Sequence, residues 1–86
     1  MEMYELSPRD GRKSFYGKAM VLIDPEGNET LYSYGTEVAR YNRKENKVEV
    51  LGRFSLTTGR HITAFVNEHG VCADRFSSIP KELFVD

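Results

Sequence analysis

Few side chains in this sequence are able to bind a metal or attack a carbonyl: His61, His69 and Cys72 are the main candidates. His61 and His69 stand eight residues apart on one expected helix. At about 1.5 Å rise per residue this puts them ~12 Å apart, too far to share one ion. His69 with Cys72 supplies two ligands, where a structural zinc takes four. Cys72 is the only cysteine. As a nucleophile it would need a base and an electropositive setting, and His69 and Asp74 do not amount to one. Gly52 and Gly59 lack the spacing of a phosphate-cradling loop. Acids such as Asp24 and Glu26 fall in a turn, where solvation explains them. These residues imply no metal, no cofactor and no enzyme, with Cys72 expected as a small buried hydrophobe.

Contact chemistry is better represented. Arg12-Lys13-Ser14-Phe15-Tyr16-Gly17-Lys18 interleaves three cations with two aromatics. Cations meet phosphate and aromatics stack on bases, and the same side chains also make protein contacts. Ser55-Leu56-Thr57-Thr58-Gly59-Arg60-His61-Ile62 opens the expected helix, where free amides, hydroxyls, Arg60 and His61 suit contact with an anion. Capping accounts for one threonine; the second, followed by Arg60-His61, exceeds what capping needs. Between the two stretches lies Tyr34. The candidate contact residues are therefore Arg12, Lys13, Phe15, Tyr16, Lys18, Tyr34, Thr57, Thr58, Arg60 and His61.

The elements that position them follow from periodicity and punctuation. Residues 18–23 read as a strand, Asp24-Pro25-Glu26-Gly27-Asn28 as a turn, and 29–34 as a second strand. Residues 37–42 and 48–51 alternate as two more, joined by the charged loop 43–47. Ile62, Phe65, Val66 and His69 fall on one helical stripe, Thr57 or Thr58 is the expected N-cap, and Gly70 is the expected left-handed stop. The reading is α+β: an antiparallel meander of about four strands with one amphipathic helix, about 58–69, packed on one face. Residues 1–17 are expected as a polar arm and 71–86 as a loosely structured tail. Within that tail a short edge strand is expected at 71–73 and a helical turn at 80–84. The whole of 1–86 is expected as one domain.

Composition bounds the function class. At 86 residues a chain hides only about 60% of its unfolded surface, so one core is all it can build. A net charge of −1 supplies no global field for nucleic acid or anionic lipid. Arg40, Arg43, Lys44, Lys47, Arg53 and Arg60 against Glu37, Glu45 and Glu49 leave room for a local basic face. The lone cysteine, the absence of a leader-like N-terminus and the lack of any ~20-residue apolar run together favour a soluble cytoplasmic protein with no membrane contact.

Several of these stretches also carry a resemblance. Arg12-Lys13-Ser14-Phe15-Tyr16-Gly17-Lys18-Ala19, Leu31-Tyr32-Ser33-Tyr34, Thr36 and Val38-Ala39 make its first part. Ser55, Thr57-Thr58, Arg60-His61-Ile62, Phe65 and Gly70 make its second. In these the chain resembles a family of short, functionally unassigned proteins carried by phages, plasmids and conjugative elements of Gram-positive bacteria. Gly59 departs from that pattern, which has a helix former there, and would delay the helix start to residue 59 or 60. The resemblance implies a mobile-element accessory protein that binds a host or element protein, including an inhibitor of host defence. Nucleic-acid binding through the basic-aromatic arm and the Thr-Thr-x-Arg-His helix start is the alternative. Homodimerisation by strand pairing is open to any meander with free edges.

Overall fold

A computed structural model describes residues 2–6, 17–52 and 54–85. They form five antiparallel strands in sequential order: β1 (Glu2–Glu5), β2 (Ala19–Ile23), β3 (Glu29–Ser33), β4 (Thr36–Asn42) and β5 (Lys47–Val50). One helix, α1 (Leu56–Glu68), follows, and two short 3₁₀ turns, Phe76–Ser78 and Lys81–Leu83, close the chain. The α+β meander expected from periodicity is present, with one strand more. β1 lies inside the segment expected to be an irregular arm and pairs with β2 from Glu2↔Ile23 to Glu5↔Met20. Its Met-Tyr-Glu content is too polar and too short to show a two-residue period.

Alternation along each strand sends one set of side chains under the helix. Ala19 and Val21 of β2, Leu31 and Ser33 of β3, and Val48 and Val50 of β5 are buried there. Leu31 pairs with Ala39 but Tyr32 with Glu37, so Val38 is an extra residue in β4. This bulge is why Val38 and Ala39 are both buried, although strict alternation sends them to opposite faces. Ile62, Phe65 and Val66 pack on this layer from the helix side.

The helix begins at Leu56, earlier than Thr57 or Thr58 as caps would give. Ser55 is the N-cap, its Oγ accepting from the Thr58 amide at 3.3 Å. Gly59 does not delay the start. It is buried in the first turn, and an added Cβ would sit 3.3 Å from Cβ and Cγ of Phe76. A glycine in the helix is explained by that crossing of the C-terminal segment. At the other end Gly70 (φ +88) stops the helix as expected, with Val71 N–H donating to the Val66 carbonyl at 3.1 Å and Gly70 N–H to Asn67 at 3.3 Å.

The tail is more ordered than its composition suggested. Asn67 Nδ2 donates to the Ala73 carbonyl at 2.9 Å, Ala73 and Ile79 are buried, and Phe76 meets Phe84 edge-on at 5.5 Å. Phe84 bridges Val50 in parallel, covering the outer edge of β5. Residues 71–73 form no strand, and the expected turn at 80–84 is the 3₁₀ turn Lys81–Leu83. Cys72 is exposed rather than buried, because the chain leaves the helix there pointing outward. Between positions 58 and 66 only Arg60 is exposed, since the sheet covers one side of α1 and the tail another.

The C-terminal end of α1 is tied to β1, β3 and β4. His69 Nε2 lies 3.0 Å from Glu29 Oε1, and its ring stacks on Tyr41 at 3.8 Å and meets Phe65 edge-on at 4.9 Å. Tyr4 donates to Glu68 at 2.9 Å and lies 3.4 Å from Glu29. Burial first, then the hydrogen bond to Glu68, pushes the Tyr4 phenol well above its ordinary range, so it stays a donor. Tyr4→Phe is expected to lower stability by about 1 kcal/mol. Urea denaturation measures the loss, and amide exchange along β1 should accelerate with it.

Candidate functional site

The opposite end of the helix brings several of the expected contact residues near one another. α1 runs against β3, so its first turns lie over Ser33 and over the tight loop that joins β3 to β4. Ser33 and Thr36 pair, leaving Tyr34 and Gly35 as a two-residue loop. Both have positive φ, +53 for Tyr34 and +83 for Gly35, the type I′ arrangement that suits the twist of a hairpin. Glycine fits the second position. The first ordinarily takes asparagine, aspartate or glycine, because a bulky side chain there is strained by about 1–3 kcal/mol. Among the described residues the chain follows that rule elsewhere, with asparagine at the other non-glycine position of positive φ, Asn46 (φ +52). At position 34 it places a tyrosine, and leaves it 56% exposed.

Beneath that ring is a chain of buried polar groups. Ser33 Oγ lies 2.8 Å from His61 Nδ1 and 2.9 Å from Thr58 Oγ1, and Ser55 Oγ donates to Thr58 Oγ1 at 3.3 Å. Ser33, Thr58 and His61 are all buried. The His61 ring in turn faces Tyr34, centroids 5.7 Å apart and tilted by 34°. Burial first, and then the neighbouring Arg60 charge, hold the His61 imidazole below its usual 6.5. The positive end of the helix dipole acts in the same direction, with no acid in the first turn to oppose it. A neutral ring has one donor and one acceptor nitrogen, so the Ser33–His61 bond runs in either direction according to the tautomer.

A serine hydrogen-bonded to a histidine has the form of a nucleophile and its base. Here Ser33 is 2% and His61 1% exposed, so a substrate carbonyl has no approach to Oγ. The chemistry available is support: the network fixes the residue before the strained loop to the helix that carries Arg60. Among the described residues no group of three or more His, Cys, Asp or Glu is arranged to hold a metal ion.

The sequence-derived contact residues therefore divide. Lys18, Tyr34, Thr57 and Arg60 are exposed, and the Tyr34 amide donates to the Lys18 carbonyl at 2.8 Å, setting them side by side. Thr58 and His61 are buried and bonded to Ser33 instead. Arg12, Lys13, Phe15 and Tyr16 lie outside the described residues. Ser33, absent from the candidate contact residues, is the centre of the network. The signal that could have marked it is a hydroxyl at an inward register position two residues after Leu31.

Of the cations that leave room for a local basic face between residues 40 and 60, Arg53 lies outside the described residues. Arg40 pairs with Glu37 at 3.0 Å, and Arg43 folds over Gly27 at the turns beneath the C-terminal end of α1. Arg60 stands at the other end of a helix about 20 Å long. No described helix is long and apolar enough to cross a membrane.

A family of unknown function, DUF8033, matches residues 4–84. No curated protein and no solved structure matches the chain.

Proposed function

Because the chain belongs to that family of unknown function, its chemistry must be read from the site, and we propose that it is a non-catalytic binding protein. It docks on a partner protein through the corner formed by Tyr34, Lys18, Thr57 and Arg60. The observation that carries this reading is Tyr34 itself, an exposed aromatic at a backbone position that disfavours it, braced from below by Ser33, His61 and Thr58. Residues kept under strain where the fold gains nothing are expected at functional sites. Tyrosine and arginine are the side chains that most often dominate protein interfaces. The corner offers both, with a lysine and a hydroxyl at the rim. The partner face that fits it is acidic, with a cleft for the ring.

A net charge of −1, and the distance of Arg60 from Arg43 among the described cations, support a protein partner over a nucleic-acid backbone, which recruits a concentrated basic surface. The sequence resemblance supports the setting: an accessory protein of a phage or conjugative element, working in the bacterial cytoplasm on a host or element protein, with host defence as a target. Zero-length cross-linking in host lysate, comparing wild type with Tyr34→Ala and Arg60→Ala, tests it. One partner captured in stoichiometric amount by wild type and lost by both variants is the expected result. Absence of such a partner, together with salt-sensitive binding to single-stranded DNA or RNA, would instead favour the nucleic-acid reading.

A further inference from the structure

The two edges of the sheet differ. At β5 the C-terminal segment closes the edge: Phe84 bridges Val50, and the Val85 amide donates to the Val50 carbonyl at 2.8 Å. At β1 the strand order ends, and none of the described residues pairs beyond it. The Leu6 amide donates to the Ala19 carbonyl at 2.9 Å, and the same pairing runs from Glu5↔Met20 to Glu2↔Ile23. Backbone groups of an antiparallel ladder alternate in direction, so Leu6, Tyr4 and Glu2 turn theirs toward β2. Those of Met3 and Glu5 turn outward. Both residues are exposed, Met3 by 56% although it is apolar.

We propose that this edge pairs with β1 of a second copy of the chain, antiparallel about a two-fold axis at Tyr4. The outward groups set that register. With Met3 facing Glu5 of the second copy, and Glu5 facing its Met3, every outward amide and carbonyl of β1 is bonded across the seam. Centring the axis on Glu5 would set two glutamates directly opposite, which is destabilising. Centring it on Met3 would leave Glu5 facing residue 1, beyond the strand. About Tyr4 no glutamate faces another, since Glu2 falls opposite Leu6.

Side chains on both faces fit the same register. The two Tyr4 residues form the central non-hydrogen-bonded pair, where side chains approach most closely and aromatic pairs are favourable. Tyr4 is half-buried, and its hydroxyl is already held by Glu68 at 2.9 Å, so its ring is in place before pairing. On the face away from the helix, Met3 pairs with Leu22 and Glu5 with Met20. Joining two edges there makes one apolar strip from Met3, Met20 and Leu22 of both copies. Four residues a side cover less than the about 800 Å² per partner of a stable interface, so the dimer is weak and reversible. Glu2, Glu5 and Glu68 flank the seam in each copy, and salt that screens them favours pairing. Tyr34 takes no part, so this edge stands apart from the docking role.

Sedimentation velocity of the intact protein in such salt, from about 1 μM to about 1 mM, spans the range of weak complexes. The mass is expected to rise from one chain toward two. Met3→Pro removes an amide that β2 does not use, so the variant should remain single while unfolding in urea like dilute wild type. Amide exchange of wild type gives a second readout that needs no variant. Concentrating the protein should slow Met3 and Glu5 several-fold and leave Tyr4, already bonded to β2, unchanged. A chain that stays single throughout overturns the pairing. So does a dimer that survives in Met3→Pro, or one that forms while Met3 and Glu5 exchange as they do in dilute solution.

Discussion

Phe65→Ala is expected to lower stability by about 3–5 kcal/mol. Phe65 is fully buried at the centre of α1, between Ile62 and Val66 and above the inward residues of the sheet. A domain of this size has roughly 4–13 kcal/mol in total, so one ring is a large share. The cavity cannot close easily. The sheet below is fixed by its strand pairs, and the tail above is fixed through Asn67 and Phe76. The ring also supports the edge of His69, so its loss loosens the link from helix to Glu29 and Tyr41. Urea denaturation followed by far-ultraviolet circular dichroism measures the change. A loss under about 1 kcal/mol would mean that the core is organised around other residues.

Tyr34→Ala should have its large effect on binding instead. A central aromatic anchor of an interface typically contributes at least about 2 kcal/mol, roughly a thirtyfold loss in affinity, when truncated to alanine. Its effect on folding should be small by comparison. Over half of Tyr34 is already exposed, and alanine keeps the same positive-φ requirement. The contrast with Phe65 is the point: both are aromatic, one holds the fold together and the other is held out by it. Titration calorimetry with the purified partner, once captured, measures the first quantity and thermal unfolding the second. Equal loss of both would place Tyr34 among the structural residues.

Much of the fold was legible in the sequence because local rules and tertiary packing agree there. Asp24-Pro25-Glu26-Gly27-Asn28 is a turn with Asp24 Oδ1 accepting from the Glu26 and Asn28 amides, as those residue types imply. Gly70 ends the helix for a reason of backbone geometry that needs no knowledge of the rest. What was missed depends on partners distant in the chain. β1 is a strand because β2 offers it an edge, and Gly59 is a helical residue because Phe76 crosses it. His69 was placed at the helix end correctly, but its pairing with Glu29 and stacking on Tyr41 come from the sheet.

The site was legible in part for the same reason. Tyr34, Lys18, Thr57 and Arg60 were named by type and are exposed where the loop and helix start converge. Thr58 and His61 were named for contact because their chemistry suits it; the register of α1 on β3 turns them inward to Ser33 instead. A linear sequence shows neither that inward turn nor the strain at Tyr34.

Unfolding free energies of wild type, Tyr34→Ala and Tyr34→Asn, measured side by side, bear most directly on whether this tyrosine is kept for contact. Asparagine suits the first position of the loop, so Tyr34→Asn should exceed Tyr34→Ala by about 1 kcal/mol and match or surpass wild type. An asparagine variant clearly less stable than wild type, and no better than alanine, would show that the fold itself requires the ring.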